Sequence, residues 1–178
     1  MAIAESFARP ARQSVLAGVV MRRDLVVDGI VFGRSTIEGD DATDAIIGMH
    51  RSLGRSDISC IVLDGLVISM YNIIDGQKVC KESGLPVVAV TFEDSPGLEG
   101  AIRHHFPHTW QAKMEQYGRI GARDWILLKT GKPVYARCWG TTTGRAKALL
   151  NAFTLQGALP EPVRVAKIVA HAAATTFP

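Results

Sequence analysis

Along the first forty residues the apolar positions come in short, dense runs. Ser14–Met21 and Leu25–Phe32 are rich in Val, Ile and Leu, and the charged tripeptide Arg22-Arg23-Asp24 separates them, the pattern of two strands joined by a tight turn. The first seven residues predict another short strand. From Asp41 the period changes. Ile46, Ile47, Met49 and Leu53 recur at helical spacing until Gly54 stops the run. Ile58-Ser-Cys-Ile-Val-Leu-Asp64-Gly65 then predicts a strand whose apolar run ends abruptly on a carboxylate. A helix over Asp75–Glu82, closed by Gly84, leads into a second unbroken strand, Pro86–Thr91. Unbroken apolar runs of this length indicate strands covered on both faces. Ser95-Pro96 predicts the start of a further helix, which Pro107 interrupts or restarts and which continues over Trp110–Tyr117. Trp125–Trp139 reads as two strands joined near Thr130-Gly131. Two helices close the chain, Thr143–Thr154 and Pro162–Ala174, the latter with Pro at its first position and Glu161 beside it.

Antiparallel strands first, then helix, strand, helix, strand, then a hairpin and helices: this is the layout of a ribonuclease H-like α/β domain, a mixed central sheet flanked by helices. A generic three-layer α/β domain gives a similar string. With 178 residues, 47% of them hydrophobic, and no repeat, low-complexity tract or linker, the expectation is one domain over residues 1–178 with a sizeable core. No apolar run approaches the roughly 20 residues of a membrane helix, and the start Met-Ala-Ile-Ala-Glu-Ser lacks the basic opening and apolar centre of a secretory signal. The expectation is a cytoplasmic protein without a membrane partner. Cys60, Cys80 and Cys138 are odd in number and widely spaced, which argues against a disulfide framework and against a zinc motif.

A net charge of +3 permits contact with a polyanion but falls short of the dense patches of obligate nucleic-acid binders. Two basic intervals stand out, Arg9, Arg12, Arg22, Arg23 and Arg34, and Lys129, Lys132, Arg137, Arg145 and Lys147. Both suit solvated strand edges, and both suit phosphate contacts.

Three acidic points carry the candidate chemistry. Asp64 ends a buried strand, where open α/β sheets place functional groups, although Asp-Gly is also a common turn pair that recurs at Asp28-Gly29 and Asp75-Gly76. Glu5 sits in the first strand or on a frayed terminus. Asp40 and Asp41 precede the first helix; Asp41 is a sound N-cap, with Asp44 placed to reach back as in a capping box. Taken together, hard oxygen ligands from distant segments are what a magnesium ion needs to hydrolyse a phosphodiester. His104 and His108 have the spacing of a helical metal pair, but Pro107 lies between them. Trp110, Trp139, Tyr71 and Tyr135 could stack on exposed bases or fill the core. Tyr71-Asn72, just after the Asp64 strand, is the pair most expected in a pocket. No phosphate-cradling glycine motif and no Gly-x-Ser-x-Gly elbow is present.

Several segments together resemble a known family: Val19-Val-Met-Arg22, Asp28-Gly29, Gly39-Asp-Asp-Ala-Thr-Asp44, Val62-Leu-Asp-Gly65, Tyr71-Asn72-Ile-Ile-Asp75, Gly84-Leu-Pro-Val-Val88 and Pro160-Glu-Pro-Val-Arg164. They look like the family named for deoxyuridine endonuclease activity, a distant relative of endonuclease V, over nearly the whole chain. The resemblance implies a ribonuclease H-like fold and magnesium- or manganese-dependent nicking of DNA near deaminated bases, a DNA-repair activity. It implies that Asp64 matches the strand-four aspartate of endonuclease V. The first-strand aspartate falls at Ala4, with Glu5 next to it as replacement ligand, and the helix-start glutamate falls on Asp40 or Asp41. The late histidine has no counterpart in Cys138-Trp139-Gly140-Thr141-Thr142.

The reading is therefore an endonuclease in which Asp64, Glu5, Asp40 and Asp41 are catalytic, Asp64 and Glu5 bind the metal, and Tyr71, Asn72, Arg22 and Arg164 contact the extruded base and the DNA. Two alternatives stay open: a nucleic-acid or protein binding module of the same fold with impaired hydrolysis, motivated by Ala4 and the absent histidine, and a small-molecule hydrolase using the Asp64 crevice.

Overall fold

The computed structural model describes residues 1–176. Its centre is a seven-stranded mixed sheet, and the strands that the apolar runs predict all belong to it. β1 (Ala2–Ser6), β2 (Gln13–Met21) and β3 (Val27–Thr36) form an antiparallel meander. α1 (Ala42–Leu53) then carries the chain back to β4 (Ile61–Asp64), which lies parallel to β1. A small two-stranded hairpin follows, β5 (Val67–Ile68) and β6 (Asn72–Ile73). After α2 (Gly76–Ser83), β7 (Val87–Thr91) joins β4 in parallel. α3 (Glu99–His105) and α4 (Trp110–Arg119) cap the hairpin side. β8 (Asp124–Leu127) and β9 (Pro133–Trp139) add antiparallel to β7, and α5 (Thr143–Phe153) and α6 (Glu161–Thr176) end the chain. The strand order is β3-β2-β1-β4-β7-β9-β8.

Successive residues of β1, β4 and β7 point to opposite faces, and helices cover both, so these strands stay apolar up to their last residues. Ile3, Leu16, Ile61, Leu63, Val87 and Ala89 face a core closed by Ile46, Ile47 and Met49 of α1 and Val79 of α2. Ala2, Val62, Val88 and Val90 face the other way, against Leu150 of α5 and Val163 of α6. Ala4 and Val19 pack against Ala166 of α6. Glu5 thus follows Ile3 onto the α1 face, while Asp64 follows Val62 onto the α6 face. The two can meet only at the edge of the sheet where β1 and β4 both end.

Three local expectations need correction. α3 begins at Glu99, not at Ser95. The Asp94 and Ser95 side chains accept hydrogen bonds from the backbone N–H groups of Ser95 and Gly97, and Arg123 donates to the Ser95 carbonyl and to Asp94, so this stretch is held as a turn. Asp41 occupies the N-cap position of α1 but gives it no side-chain bond. Asp44 is turned away to Lys78, at 2.6 Å, and makes no capping box.

Gly76 opens α2 directly over Trp139, and a Cβ added there would overlap the indole ring. Gly76→Ala is expected to cost about 1–3 kcal/mol through this overpacking, read as a lower urea midpoint with unchanged slope. A midpoint equal to that of the unmodified protein would mean that the ring relaxes freely.

Candidate active site

At the sheet edge where β1 and β4 end, the structure brings two of the four candidate carboxylates together. Glu5 and Asp64 line a common cavity with Ala4, Gly65, Ile68 and Ile74, about 10 Å³ in volume, room for one water-sized particle. Asp64, the last residue of β4, has a side chain only 15% exposed, and its Oδ2 accepts a 2.6 Å hydrogen bond from Nζ of Lys167 on α6. Glu5 is half-buried. Its Oε1 accepts from the backbone N–H of Ser69 at 3.0 Å, and its buried Oε2 has no partner among the described residues. Burial raises the Glu5 pKa above its ordinary 4.5, and the negative charge of Asp64 raises it further. The Ser69 N–H, the Ser14 hydroxyl and Lys167 pull the other way without cancelling the rise.

A carboxyl whose folded pKa lies above its unfolded value binds its proton more tightly in the folded state. Its stabilising contribution is complete below pH 4.5 and is lost as the pH rises through the raised value. The metal-free protein is therefore expected to lose stability over that interval, and Glu5→Gln should flatten the loss. Thermal unfolding against pH in chelator measures this; parallel profiles for the two proteins would refute it.

The other two carboxylates do not join the pair. Asp40 is bound by Nζ of Lys113 at 2.6 Å, an ammonium that also donates to the carbonyls of Gly39 and Tyr71. Asp41 accepts from the N–H and Oγ1 of Thr36 and from Nδ2 of Asn72. Desolvation would raise its pKa, but these three donors hold it below the ordinary carboxylate value. Among the described residues no three His, Cys, Asp or Glu side chains stand close enough to hold a metal ion, and this includes His104, His105 and His108. His105 instead meets Glu38, Nε2 to Oε1 at 2.7 Å.

The four residues expected in the base and DNA pocket are dispersed. Tyr71 ends a left-handed run, Ser69-Met70-Tyr71, with φ of 45°, 55° and 72°. Its ring lies 5.1 Å from His105 and 5.6 Å from Phe106, beside the hairpin. Asn72 is fully buried and belongs to the interior. Its Nδ2 donates to the Thr36 carbonyl and to Asp41, and its Oδ1 accepts from the N–H of Ala42, so Asn72 supplies the helix cap that Asp41 was expected to supply. Arg22 lies past the end of β2 that pairs with Ala2, opposite the end where Leu16 pairs with Glu5. It is exposed, and it pairs with Asp24 in the turn. Arg164 pairs with Glu161 in the first turn of α6.

Two features of the site were missed by sequence reasoning. Lys167 lies one turn beyond Arg164 on the same helix, and that spacing was the available signal. Ser14, Ser35 and Ser69 are buried and form a closed set of hydroxyl contacts at 2.6, 2.8 and 3.0 Å beneath Glu5. Ser14 at the head of the apolar run of β2 was the one local signal there; Ser35 lies in a strand with several polar residues and Ser69 in the turn between β5 and β6.

Comparison with known proteins agrees with this architecture. The UPF0215 protein of Pyrobaculum calidifontis is 41% identical over 174 residues, covering 96% of this chain and 93% of that protein. A protein of unknown function from Archaeoglobus fulgidus, known from its crystal structure, superimposes with a TM-score of 0.81 at 28% identity, covering 99% of this chain and 97% of that one. Endonuclease V of Ciona intestinalis, solved in complex with a 24mer DNA containing an inosine followed by a ribo-adenosine, gives a TM-score of 0.63 at 12% identity, covering 99% and 85%. That likeness establishes the fold, ribonuclease H-like. No helix among the described residues is long and apolar enough to cross a membrane. The family model described as endonuclease dU matches residues 1–174, and with that match the chain belongs to the endonuclease dU family.

Proposed function

We propose that the protein is a divalent-metal-dependent endonuclease that nicks DNA at or near deaminated bases such as deoxyuridine. The observation that carries this reading is the meeting of Glu5 and Asp64 at one cavity, with a buried Glu5 oxygen that has no partner. A buried carboxylate oxygen left unbonded is costly, and a cation at that place removes the cost. The donor set fits a single magnesium or manganese ion, which takes one or two protein carboxylates and fills its other positions with water and phosphate. It does not fit a site of three carboxylates, because Asp40 and Asp41 are committed to Lys113 and to Thr36 and Asn72.

Glu5 and Asp64 would hold the ion, whose chemistry is to acidify a water and neutralise the leaving oxygen. The rest falls to the chain. Arg9 and Arg12, exposed in the loop between β1 and β2 at the same edge, would meet backbone phosphates. Tyr71, half-buried at the hairpin beside His105, offers a ring to an extruded base. Extrusion costs a few kcal/mol, least at a mispaired or damaged base, which supplies selectivity.

The test is incubation of a deoxyuridine-containing plasmid with the protein and magnesium. Nicking that depends on both the deoxyuridine and the metal is expected, and an intact plasmid beside an active control enzyme would defeat the reading. One observation favours a second reading, a binding module with impaired hydrolysis. The register that pairs Ala2 with Val62 and Ile3 with Leu63 places Ala4, not an acid, opposite Asp64. Under that reading, binding to the same DNA would be salt-sensitive yet indifferent to magnesium and to Asp64→Asn.

A further inference from the structure

α6 crosses β1 and β2 on the face opposite α1, with Ala166 seated on Ala4 and Val19. The next residue, Lys167, reaches past this contact to Asp64 and places its ammonium 2.6 Å from Oδ2. Only a methyl at position 4 stands opposite Asp64 in the sheet, and among the described residues Asp64 is the acid that pairs with the lysine. The adjacent cavity already contains the unpartnered Oε2 of Glu5. The site of the metal-free protein is thus two carboxylates and one ammonium.

A divalent ion at ~2.1 Å from either oxygen of Asp64 would stand within a few ångströms of the ammonium held on Oδ2, and the two cations repel each other. Of the two partners, Asp64 is held at the end of a four-residue strand and is 15% exposed, whereas the Lys167 side chain is 48% exposed on a flexible stem. When a divalent ion approaches, the lysine is the partner that moves.

We propose that Lys167 is the resident cation of this site: it holds Asp64 in the metal-free protein, releases it to an entering divalent ion, and then presents its charge to the phosphate of the nucleic acid. Only the final clause rests on the nuclease reading. The arrangement neutralises one of the two acids before metal arrives, and it places a positive charge beside the scissile strand once the metal is bound. A compact ammonium suits this exchange, because it forms no planar fork that locks onto one carboxylate.

Manganese titration of the purified protein at fixed neutral pH, followed by electron paramagnetic resonance of the free ion, reads the first part. Lys167→Met is expected to bind manganese about tenfold more tightly than the unmodified chain, because a competing positive charge is gone. Lys167→Arg, which keeps the charge, should stay within about threefold of the unmodified chain. Both are helix-compatible changes at a half-exposed position, and circular dichroism checks that the fold is kept. Equal or weaker manganese binding by Lys167→Met overturns the proposal. The second part is read by binding of a deoxyuridine oligonucleotide in calcium at several salt concentrations. Loss of this phosphate contact should reduce the salt slope by about one in Lys167→Met, and an unchanged slope overturns the phosphate clause. Failure of the plasmid assay would remove the nuclease reading and leave the manganese result standing, so the two failures are distinguishable.

Discussion

Asp64→Asn is expected to reduce nicking of deoxyuridine DNA by about 10²–10³-fold, the scale on which loss of one preorganised charge-stabilising group acts. Asparagine keeps the shape of the side chain and an oxygen for Lys167, so what is lost is the negative charge facing the cavity. The fold should barely register the change. The ion pair with a half-exposed lysine belongs to the class worth about 0–1 kcal/mol, and the residue lies at the end of its strand. The comparison therefore needs two measurements on one protein, a nicking rate in magnesium and an unfolding curve. A rate within about threefold of the unmodified enzyme would sink the assignment of Asp64 as metal ligand. A rate loss accompanied by a large loss of stability would instead mark Asp64 as a structural residue.

The largest stability effect is expected at Asn72. Its amide joins three segments: the Thr36 carbonyl at the end of β3, the Asp41 carboxylate, and the first N–H of α1 at Ala42, at 2.9, 2.8 and 3.2 Å. Asn72→Ala removes all three bonds around a fully buried side chain and leaves the N–H of the buried Ala42 without its acceptor. An expected loss of about 2–4 kcal/mol follows from the cost of unsatisfied buried donors in a connected network. Asn72→Asp should be no rescue, since it sets a second negative charge against Asp41. Chemical denaturation decides it. A loss below about 0.5 kcal/mol would mean that water or a neighbouring side chain takes over the three contacts.

These two residues illustrate what the chain discloses by itself. The order of elements was legible because period and turn chemistry are local. Val87–Val90 and Ile61–Leu63 are apolar throughout since helices cover both faces, and the run itself records that. Which carboxylates meet was less legible. Glu5 and Asp64 lie on opposite faces of adjacent strands, so their meeting depends on where β1 and β4 end, which the spacing of residues does not encode. Asp41 reads locally as a cap, yet a more distant donor pair from Thr36 and Asn72 captures its carboxylate. Tyr71 and Asn72 are neighbours in sequence and diverge in space, one toward His105 and one into the interior, because three consecutive left-handed residues turn the hairpin there. Nothing local in Ser69-Met70-Tyr71 signals such a turn, as none of the three is glycine or asparagine.

The three serine hydroxyls under Glu5 have a consequence of their own. Each carries one proton, so a closed triangle can be wired clockwise or anticlockwise, and the two senses are equal in energy only when nothing outside the ring breaks the tie. Glu5 breaks it. An ionised carboxylate favours the Ser14 proton that points toward it, which leaves two protons for three hydroxyl contacts, so one contact of the ring loses its donor. Neutralising that acid releases the ring to either sense. The orientation of three protons between β2, β3 and the hairpin therefore records the charge state of a group none of those elements carries, and the hydroxyl signals of Ser35 and Ser69 become a remote gauge of it.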